Sequence, residues 1–378
     1  MFKDLRVLEL ASVLAGPSVG QFFAELGAEV IKVENLKSGG DVTRSWKIAG
    51  EKEGDLSAYF CSCNWGKKSV AVDLSSADGK EIVQRLATKS DIVIASYKLG
   101  DAEKLGVAYE QLRTSNQQII YGQITGYGSG NDRVGYDAVI QAEAGFMDLN
   151  GETDGPPTKM PVAMIDILAG HQLKEGLLLA LLKRDRTGEG SLVEVSLIET
   201  AISSLANQAT NWLVAGKLPA RKGSAHPNIA PYGESFLTSD GKRILLAIGS
   251  DRQFEDLVQV LGIRHEALGS KFFNNQQRVE NRRALNQLLE ARMAQMDSRY
   301  FLEKANHKKI PAGVIQNLKE VFEMKEAGEL LIDQNGLKGV RNFIGTVAGN
   351  RSPVTGLLPP PHFGEHTEEV LKEIFGDA

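Results

Sequence analysis

The chain has 378 residues, 42% of them hydrophobic and 24% charged, which is the composition of an ordinary globular protein. Its length exceeds that of most single cores, so we expect one large domain and a smaller one. The formal net charge of −5 gives no support to nucleic-acid binding, which normally needs a basic face. Two cysteines, Cys61 and Cys63, supply neither a disulfide framework nor a complete metal site. The short apolar stretches and the charged N-terminus predict a cytoplasmic protein without a membrane span or signal peptide.

Strand and helix patterns alternate through the first half of the chain. The predicted strands cover residues 6–10, 28–33, 69–74, 91–95, 118–125 and 191–196. The predicted helices cover residues 18–26, 76–89, 109–114 and 167–183. Alternation of this kind is typical of a doubly wound α/β domain, with a parallel sheet and right-handed crossovers.

The second half of the chain has a different pattern. A long helix is predicted at 197–215, and a hairpin at 232–248 with its turn at Ser239-Asp240-Gly241. Further helices are predicted at 254–261, 281–295 and 298–305. The predicted domains are a large α/β domain at 1–216, a linker at 217–230, a small α+β domain at 231–320, and a return to the large domain at 321–378.

The turn after the first strand lacks the glycine patterns of nucleotide-binding loops. It reads ELASVLAGPSVG, without G-x-G-x-x-G, and no P-loop sequence occurs in the chain. The helix that opens after Gly16 and Pro17 nevertheless offers free backbone N–H groups, which suit an anion. Six basic residues could together bind phosphates, although each alone is better explained as a solvated surface charge: Lys37, Arg44, Lys67, Lys68, Lys98 and Lys104.

Asp166 stands where an extended apolar run meets the leucine-rich helix. One interpretation is a helix N-cap, a position that aspartate favours. The other is a carboxylate nucleophile that the helix dipole keeps ionised. Spacing alone does not decide between them.

Nine segments in a fixed order share a pattern with a known family. They are ELASVLAGPSVGQFFAELGAEVIKVE with GGDVTR at 39–44, NWGKKSVAVDL at 64–74, DIVIASYKLGDAEKLGV at 91–107, GYDAVIQAEAG at 135–145, AMIDILAG at 163–170, GEGSLVEVSLIE at 188–199, HPNIAPYG at 226–233, IPAGV at 310–314 and FGEHTEEVL at 363–371. Together they resemble the class III CoA-transferases, a family that includes formyl-CoA transferase, carnitine CoA-transferase and α-methylacyl-CoA racemase.

This resemblance implies a fold and a reaction. The fold would be a doubly wound, Rossmann-like large domain with a smaller α+β domain, in a homodimer whose chains thread through each other. The reaction would move CoA from an acyl-CoA donor to a carboxylic acid, through a covalent intermediate on Asp166. A CoA thioester would be the substrate, and no tightly bound cofactor or metal is expected.

The resemblance also implies contacts for the substrate. The residues expected to bind CoA are Val13, Leu14, Ala15, Val72, Ser96, Lys104 and Tyr136. Trp46, Tyr59 and Gly249 are expected to line the acyl pocket, with main chain near Gly16 and at 247–251 stabilising oxyanions. For the two aromatic residues, ordinary core packing is an equally good explanation.

Three departures from the formyl-CoA transferase pattern stand out. Leu14 replaces a glutamine that contacts the acyl group, and Asn35 replaces an arginine that contacts the nucleotide, with Lys37 nearby. Residues 95–97 read Ala-Ser-Tyr in place of Glu-Asn-Phe. Together these departures argue against oxalate and formyl-CoA as the native pair.

Two alternatives to the transferase remain open. In a 2-methylacyl-CoA racemase, a histidine would act as acid or base where this chain has Tyr136. A phenol with an ordinary pKa near 10 is a poor general base at neutral pH. The other alternative is a CoA-binding protein without catalysis, although the presence of Asp166 argues against it.

Overall fold

A six-stranded parallel sheet forms the centre of the first of two units. The computed structural model describes residues 1–267, 271–334, 336–347, 350–351 and 356–376. Contacts within the chain group Met1–Ala144, Met160–Ala206 and Gly328–Ala378 into one unit, and Gly145–Lys159 and Asn207–Ala327 into the other. The domain boundaries given above stay a prediction.

The described strands and helices are numbered in chain order. The strands are Arg6–Leu10 (β1), Glu29–Asn35 (β2), Lys67–Val72 (β3), Ile92–Ala95 (β4), Ile120–Thr125 (β5), Ser191–Ser196 (β6), Tyr232–Leu237 (β7), Arg243–Ala247 (β8), Ala312–Val314 (β9), Leu331–Gln334 (β10), Leu337–Val340 (β11), Thr346–Val347 (β12) and Asn350–Arg351 (β13). The helices are Ala15–Glu25 (α1), Ala58–Cys61 (α2), Ala77–Thr88 (α3), Asp101–Leu105 (α4), Tyr109–Arg113 (α5), Asp137–Glu143 (α6), Phe146–Leu149 (α7), Met164–Thr187 (α8), Leu197–Ser203 (α9), Ala206–Leu213 (α10), Asp251–Leu261 (α11), Arg264–Ala267 (α12), Asn275–Glu280 (α13), Arg282–Met293 (α14), Ser298–His307 (α15), Leu318–Phe322 (α16), Lys325–Gly328 (α17) and Thr367–Phe375 (α18).

The sheet of the first unit has the order β3-β2-β1-β4-β5-β6, with every neighbouring pair parallel. The parallel α/β sheet predicted from the sequence is confirmed. The strand order reverses between β1 and β4, so the loops that follow these two strands diverge and leave a crevice at the carboxyl edge of the sheet. A ligand site is expected at this edge.

Side chains alternate between the two faces of the sheet. On one face, Leu8 and Ile31 pack in a buried cluster with Val83 of α3 and Val370 of α18. The other face of β1 carries Glu9, and α1 packs over this side of the unit and against α8. A charged residue within β1 is therefore buried beneath a helix.

The second unit contains a three-stranded antiparallel sheet in the order β7-β8-β9. The hairpin predicted at 232–248 is present, and Gly241 in its turn has φ of +79°, a conformation that glycine adopts without steric cost. Residues such as Phe254, Leu285 and Phe301 form the core of this unit.

The single long helix predicted at 197–215 is wrong. The chain forms two shorter helices there, α9 and α10, and Ala206 between them has φ of +48°. The hydroxyl groups of Ser203 and Ser204 both donate to the carbonyl oxygen of Thr200. Serine side chains that bond to backbone carbonyls compete with the helix, and they explain why it ends here.

Tight packing beside β6 leads to a stability prediction. A Cβ added at Gly190 would lie 2.1 Å from the carbonyl oxygen of Ile119, so Gly190→Ala must displace backbone. We expect this variant to lose about 1–3 kcal/mol of unfolding free energy, measured by urea denaturation. Gly130→Ala is the control, because a Cβ added there meets no atom within 4 Å. An equal loss in both variants would contradict this account.

Candidate functional site

A cavity of about 620 Å³ opens at the carboxyl edge of the parallel sheet. Its walls come from the segments that follow β1, β4 and β5, together with the starts of α6 and α8. This volume lies within the range of small-molecule sites. The cavity is therefore the candidate site of the first unit.

Asp166 lines this cavity from the first turn of α8. The helix begins at Met164, and the residue before it, Ala163, makes no side-chain cap. The N-cap interpretation of Asp166 is therefore wrong. Asp137 takes part of that role instead, because its Oδ2 accepts the N–H of Ile165 at 2.8 Å.

The environment of Asp166 favours its protonated form. Burial, and then the nearby carboxylate of Asp137, raise the pKa of Asp166 to about 7. Neither carboxylate oxygen of Asp166 forms a hydrogen bond within the described ranges. The effect of the helix dipole expected from the sequence is thus outweighed. At neutral pH the carboxyl group is partly ionised and has no protein hydrogen-bond partner in the described part of the chain.

A second cavity, of about 490 Å³, adjoins the first and shares Ser12, Ser96, Tyr97 and Lys98 with it. Lys98 is exposed and forms no ion pair with any residue that the structure describes. Lys37 lines the second cavity and pairs with Asp73 at 3.1 Å. Lys98 thus lies where the two cavities meet, and Lys37 lies in the wall of the second cavity.

Five of the six basic candidates form ion pairs within the chain, and in three of them the basic side chain is at most 22% exposed. These are Arg44 with Glu34 at 2.6 Å, Lys67 with Glu9 at 2.7 Å, and Lys68 with Glu29 at 2.9 Å. Arg44 and Lys67 are also buried. Their charges are balanced by the protein itself.

Four of the seven predicted CoA contacts lie with Asp166 in the first cavity: Val13, Ala15, Ser96 and Tyr136. Leu14 immediately precedes α1, and Val72 is buried in the hydrophobic core beside the sheet. Lys104 is exposed on α4 and pairs with Asp101 at 3.2 Å. These last three line neither cavity.

Two of the residues predicted for the acyl pocket meet each other. The rings of Trp46 and Tyr59 are in edge-to-face contact, with centroids 5.2 Å apart. Burial, and then the charge of Asp166, raise the pKa of Tyr59 to about 12, so Tyr59 lies within electrostatic reach of Asp166. Gly249 belongs to the second unit, and its N–H donates to Oε1 of Gln253 at 2.9 Å.

The family model described as CoA-transferase family III matches residues 2–367. The chain belongs to CoA-transferase family III. A succinate–glutarate CoA-transferase of Agrobacterium fabrum is 37% identical, over 98% of this chain and 94% of the relative. A succinyl-CoA:glutarate CoA-transferase of Mus musculus is 35% identical, over 98% and 86%. The crystal structure of a CAIB/BAIF family protein from Brucella suis is 40% identical, with a TM-score of 0.83 and 98% of each chain covered.

The resemblance drawn from the nine segments is confirmed by this membership. Sequence reasoning passed over Asp137, the cavity carboxylate whose charge acts on Asp166. The available signal was its place at the start of a helix after β5, since the segments that follow parallel strands meet at one edge.

Within the described ranges no group of His, Cys, Asp or Glu side chains could hold a metal ion. None of the helices described is long and apolar enough to cross a membrane.

The raised pKa of Asp166 predicts a pH-dependent stability effect. Below pH 3.8, its ordinary value, the carboxyl group is protonated in both states and costs nothing, and the cost is complete above pH 7. Asp166→Asn should therefore gain on the order of 2 kcal/mol more unfolding free energy at pH 8 than at pH 5, measured by urea denaturation. Asp78→Asn, which changes an exposed carboxylate in the first turn of α3, should show no such gain. A gain for Asp166→Asn that is independent of pH would refute the assignment.

Proposed function

We propose that this protein transfers CoA from an acyl-CoA donor to a carboxylic acid, with Asp166 as the covalent nucleophile. The observation that carries the proposal is Asp166 itself, which is buried, lacks hydrogen bonds from the described residues and faces a cavity. Membership of CoA-transferase family III supports the reaction class. Relatives named for succinate and glutarate support succinyl-CoA as donor and a short dicarboxylate as acceptor.

The proposed reaction needs the ionised form of Asp166. A carboxylate oxygen attacks the carbonyl carbon of the thioester, and the carbon–sulfur bond breaks to give a mixed anhydride and CoA thiolate. The thiolate then attacks the carbonyl of Asp166 and releases the donor as a free carboxylate. The acceptor carboxylate reverses both steps on the aspartyl thioester, so that no proton is gained or lost overall. A cavity that excludes water protects both intermediates from hydrolysis.

CoA is proposed to occupy the two adjoining cavities. Val13, Ala15, Ser96 and Tyr136 would contact it near Asp166, and Lys98, which pairs with no carboxylate among the described residues, has a charge suited to a phosphate. Contacts from Leu14, Val72 and Lys104, and an acyl pocket formed with Trp46, Tyr59 and Gly249, remain part of the proposal on the family resemblance alone. So do the interlaced homodimer, the small α+β domain and the cytoplasmic location.

The nucleophile is tested by Asp166→Ala. The protein is incubated with succinyl-CoA and a panel of mono- and dicarboxylates, and mass spectrometry detects each new acyl-CoA. We expect the variant to lose transfer by about a thousandfold or more, because the covalent route disappears, while CoA binding by calorimetry is kept. Asp78→Ala, on the surface of the same unit, is the control and should transfer normally. Undiminished turnover in Asp166→Ala would end the assignment, and CoA binding without transfer in the wild type would favour a non-catalytic protein.

Deuterium uptake at the α-carbon of an acyl-CoA distinguishes a transferase from a racemase. A racemase must break the C–H bond next to the thioester carbonyl, whereas the transferase acts only on the carbonyl carbon. Tyr136 lines the cavity with Asp166 at the position where the resemblance places the racemase histidine, and a phenol is a poor substitute for an imidazole as general base. We therefore expect no deuterium at the α-carbon of a 2-methylacyl-CoA held with the protein in heavy water, measured by mass spectrometry. Deuterium uptake without CoA exchange would favour the isomerase.

A further inference from the structure

Val13 adopts a backbone conformation that its side chain disfavours. Its φ is +71°, in the left-handed region, where a β-branched residue is a genuine outlier. Val13 lies in the loop between β1 and α1 and lines the cavity with Asp166. Such a conformation persists only where surrounding groups hold it in place.

Asp41 holds the amide side of Val13, whereas on its carbonyl side the Sγ of Cys63 donates to the oxygen at 3.4 Å. The N–H of Val13 lies 3.3 Å from each carboxylate oxygen of Asp41. The same carboxylate accepts the N–H of Thr43 at 3.0 Å and its hydroxyl at 2.8 Å, and it pairs with Lys32 at 2.9 Å. The side chain of Asp41 is fully buried, so these partners fix its orientation.

The loop is also anchored on both sides of Val13 by buried lysines. Lys32 donates to the carbonyl oxygen of Ala11 at 2.7 Å, and Lys67 donates to that of Pro17 at 2.9 Å. Glu9 pairs with both lysines, at 3.0 and 2.7 Å. The two carboxylates, of Glu9 and Asp41, thus neutralise the two ammonium groups that bond to the backbone on either side of Val13.

The helix that follows this loop, α1, packs closely against α8, the helix that carries Asp166. Gly170 lies one turn beyond Asp166 on α8, and a Cβ added there would lie 2.6 Å from Oγ of Ser18 and 3.2 Å from the carbonyl oxygen of Ala15. Backbone and side chains are in direct contact at this crossing. A loop that relaxed around Val13 would move its cavity wall relative to Asp166.

We infer that Asp41 is a positioning residue for CoA transfer, which acts by holding Val13 in its left-handed conformation so that the first loop is set against Asp166. The inference rests on the proposed function. Asp41 acts through the N–H of Val13, and Lys32 keeps the carboxylate ionised and oriented.

A double-mutant cycle tests this role. Asp41→Asn weakens the acceptor for Val13, and Val13→Gly removes the steric reason for needing it. We expect Asp41→Asn to lower kcat/KM for CoA transfer by about tenfold or more in the wild type, but by less than about threefold in the Val13→Gly background. The dissociation constant for CoA, from calorimetry, should follow the same pattern. If Asp41→Asn does not fold, Thr43→Val, which removes one donor to Asp41, replaces it in the cycle.

The control is Asp91→Asn. Asp91 is a partly buried carboxylate that accepts the N–H of Arg6 at 2.8 Å and pairs with Arg184 at 2.9 Å, at the amino end of β4 and away from the cavity. Its loss should lower stability but leave kcat/KM within about threefold in both backgrounds. An equal loss from Asp41→Asn in both backgrounds, or no loss at all, overturns the inference.

Wild-type protein that binds CoA without transfer refutes the proposed function alone, and the dissociation constants then decide the role of Asp41. Wild-type protein that does not bind CoA defeats both.

Discussion

The ammonium group of Lys32 lies between the sheet and α1 with 1% of its side chain exposed, and Glu9 and Asp41 flank it there. Burial opposes its charge, but the two carboxylates raise the pKa of Lys32 above its ordinary value. Removing one partner from such a buried pair costs about 3–5 kcal/mol. Glu9 and Lys32 are also register partners on β1 and β2. A slip of one residue would turn Lys32 to the opposite face, so the ion pair and the strand register specify each other.

The same network links the sheet to the cavity. Strands β1, β2 and β3 contribute the charged residues Glu9, Lys32 and Lys67 to one face of the sheet, where they pair with one another. Lys32 donates to the carbonyl oxygen of Ala11 in the first loop, and Lys67 donates to that of Pro17 in the first turn of α1, so the two bonds lie on either side of Val13 in the cavity wall. The loop is therefore positioned by side chains from the rigid part of the fold, whereas most surface loops have only their own local contacts.

Patterns local in sequence predicted the strands of the sheet well, because periodicity and turn residues act over a few positions. These local patterns did not predict contacts between residues that are far apart in the sequence. The third strand was predicted to begin at 69, which left Lys67 outside it as a free phosphate ligand, whereas Lys67 is the first residue of β3 and its partner Glu9 is 58 residues away. Asp41 and Val13, 28 residues apart, form a contact that no periodicity encodes. Asp166 was predicted as the nucleophile from the family resemblance, but the effect of Asp137 on its pKa is evident only from the structure.

The start of α8 shows why two aspartates serve this site better than one. Had Asp166 been the N-cap, its oxygens would accept backbone N–H groups, which would lower its pKa and, on the proposed function, occupy the lone pairs that attack the thioester. Asp137 bonds to the N–H of Ile165 instead, and no described residue bonds to the oxygens of Asp166. The negative charge that Asp137 brings also raises the pKa of Asp166, which makes its carboxylate more basic. On the proposed function, the stability lost by burying Asp166 is therefore the direct consequence of keeping a nucleophile to which none of the described residues donates a hydrogen bond.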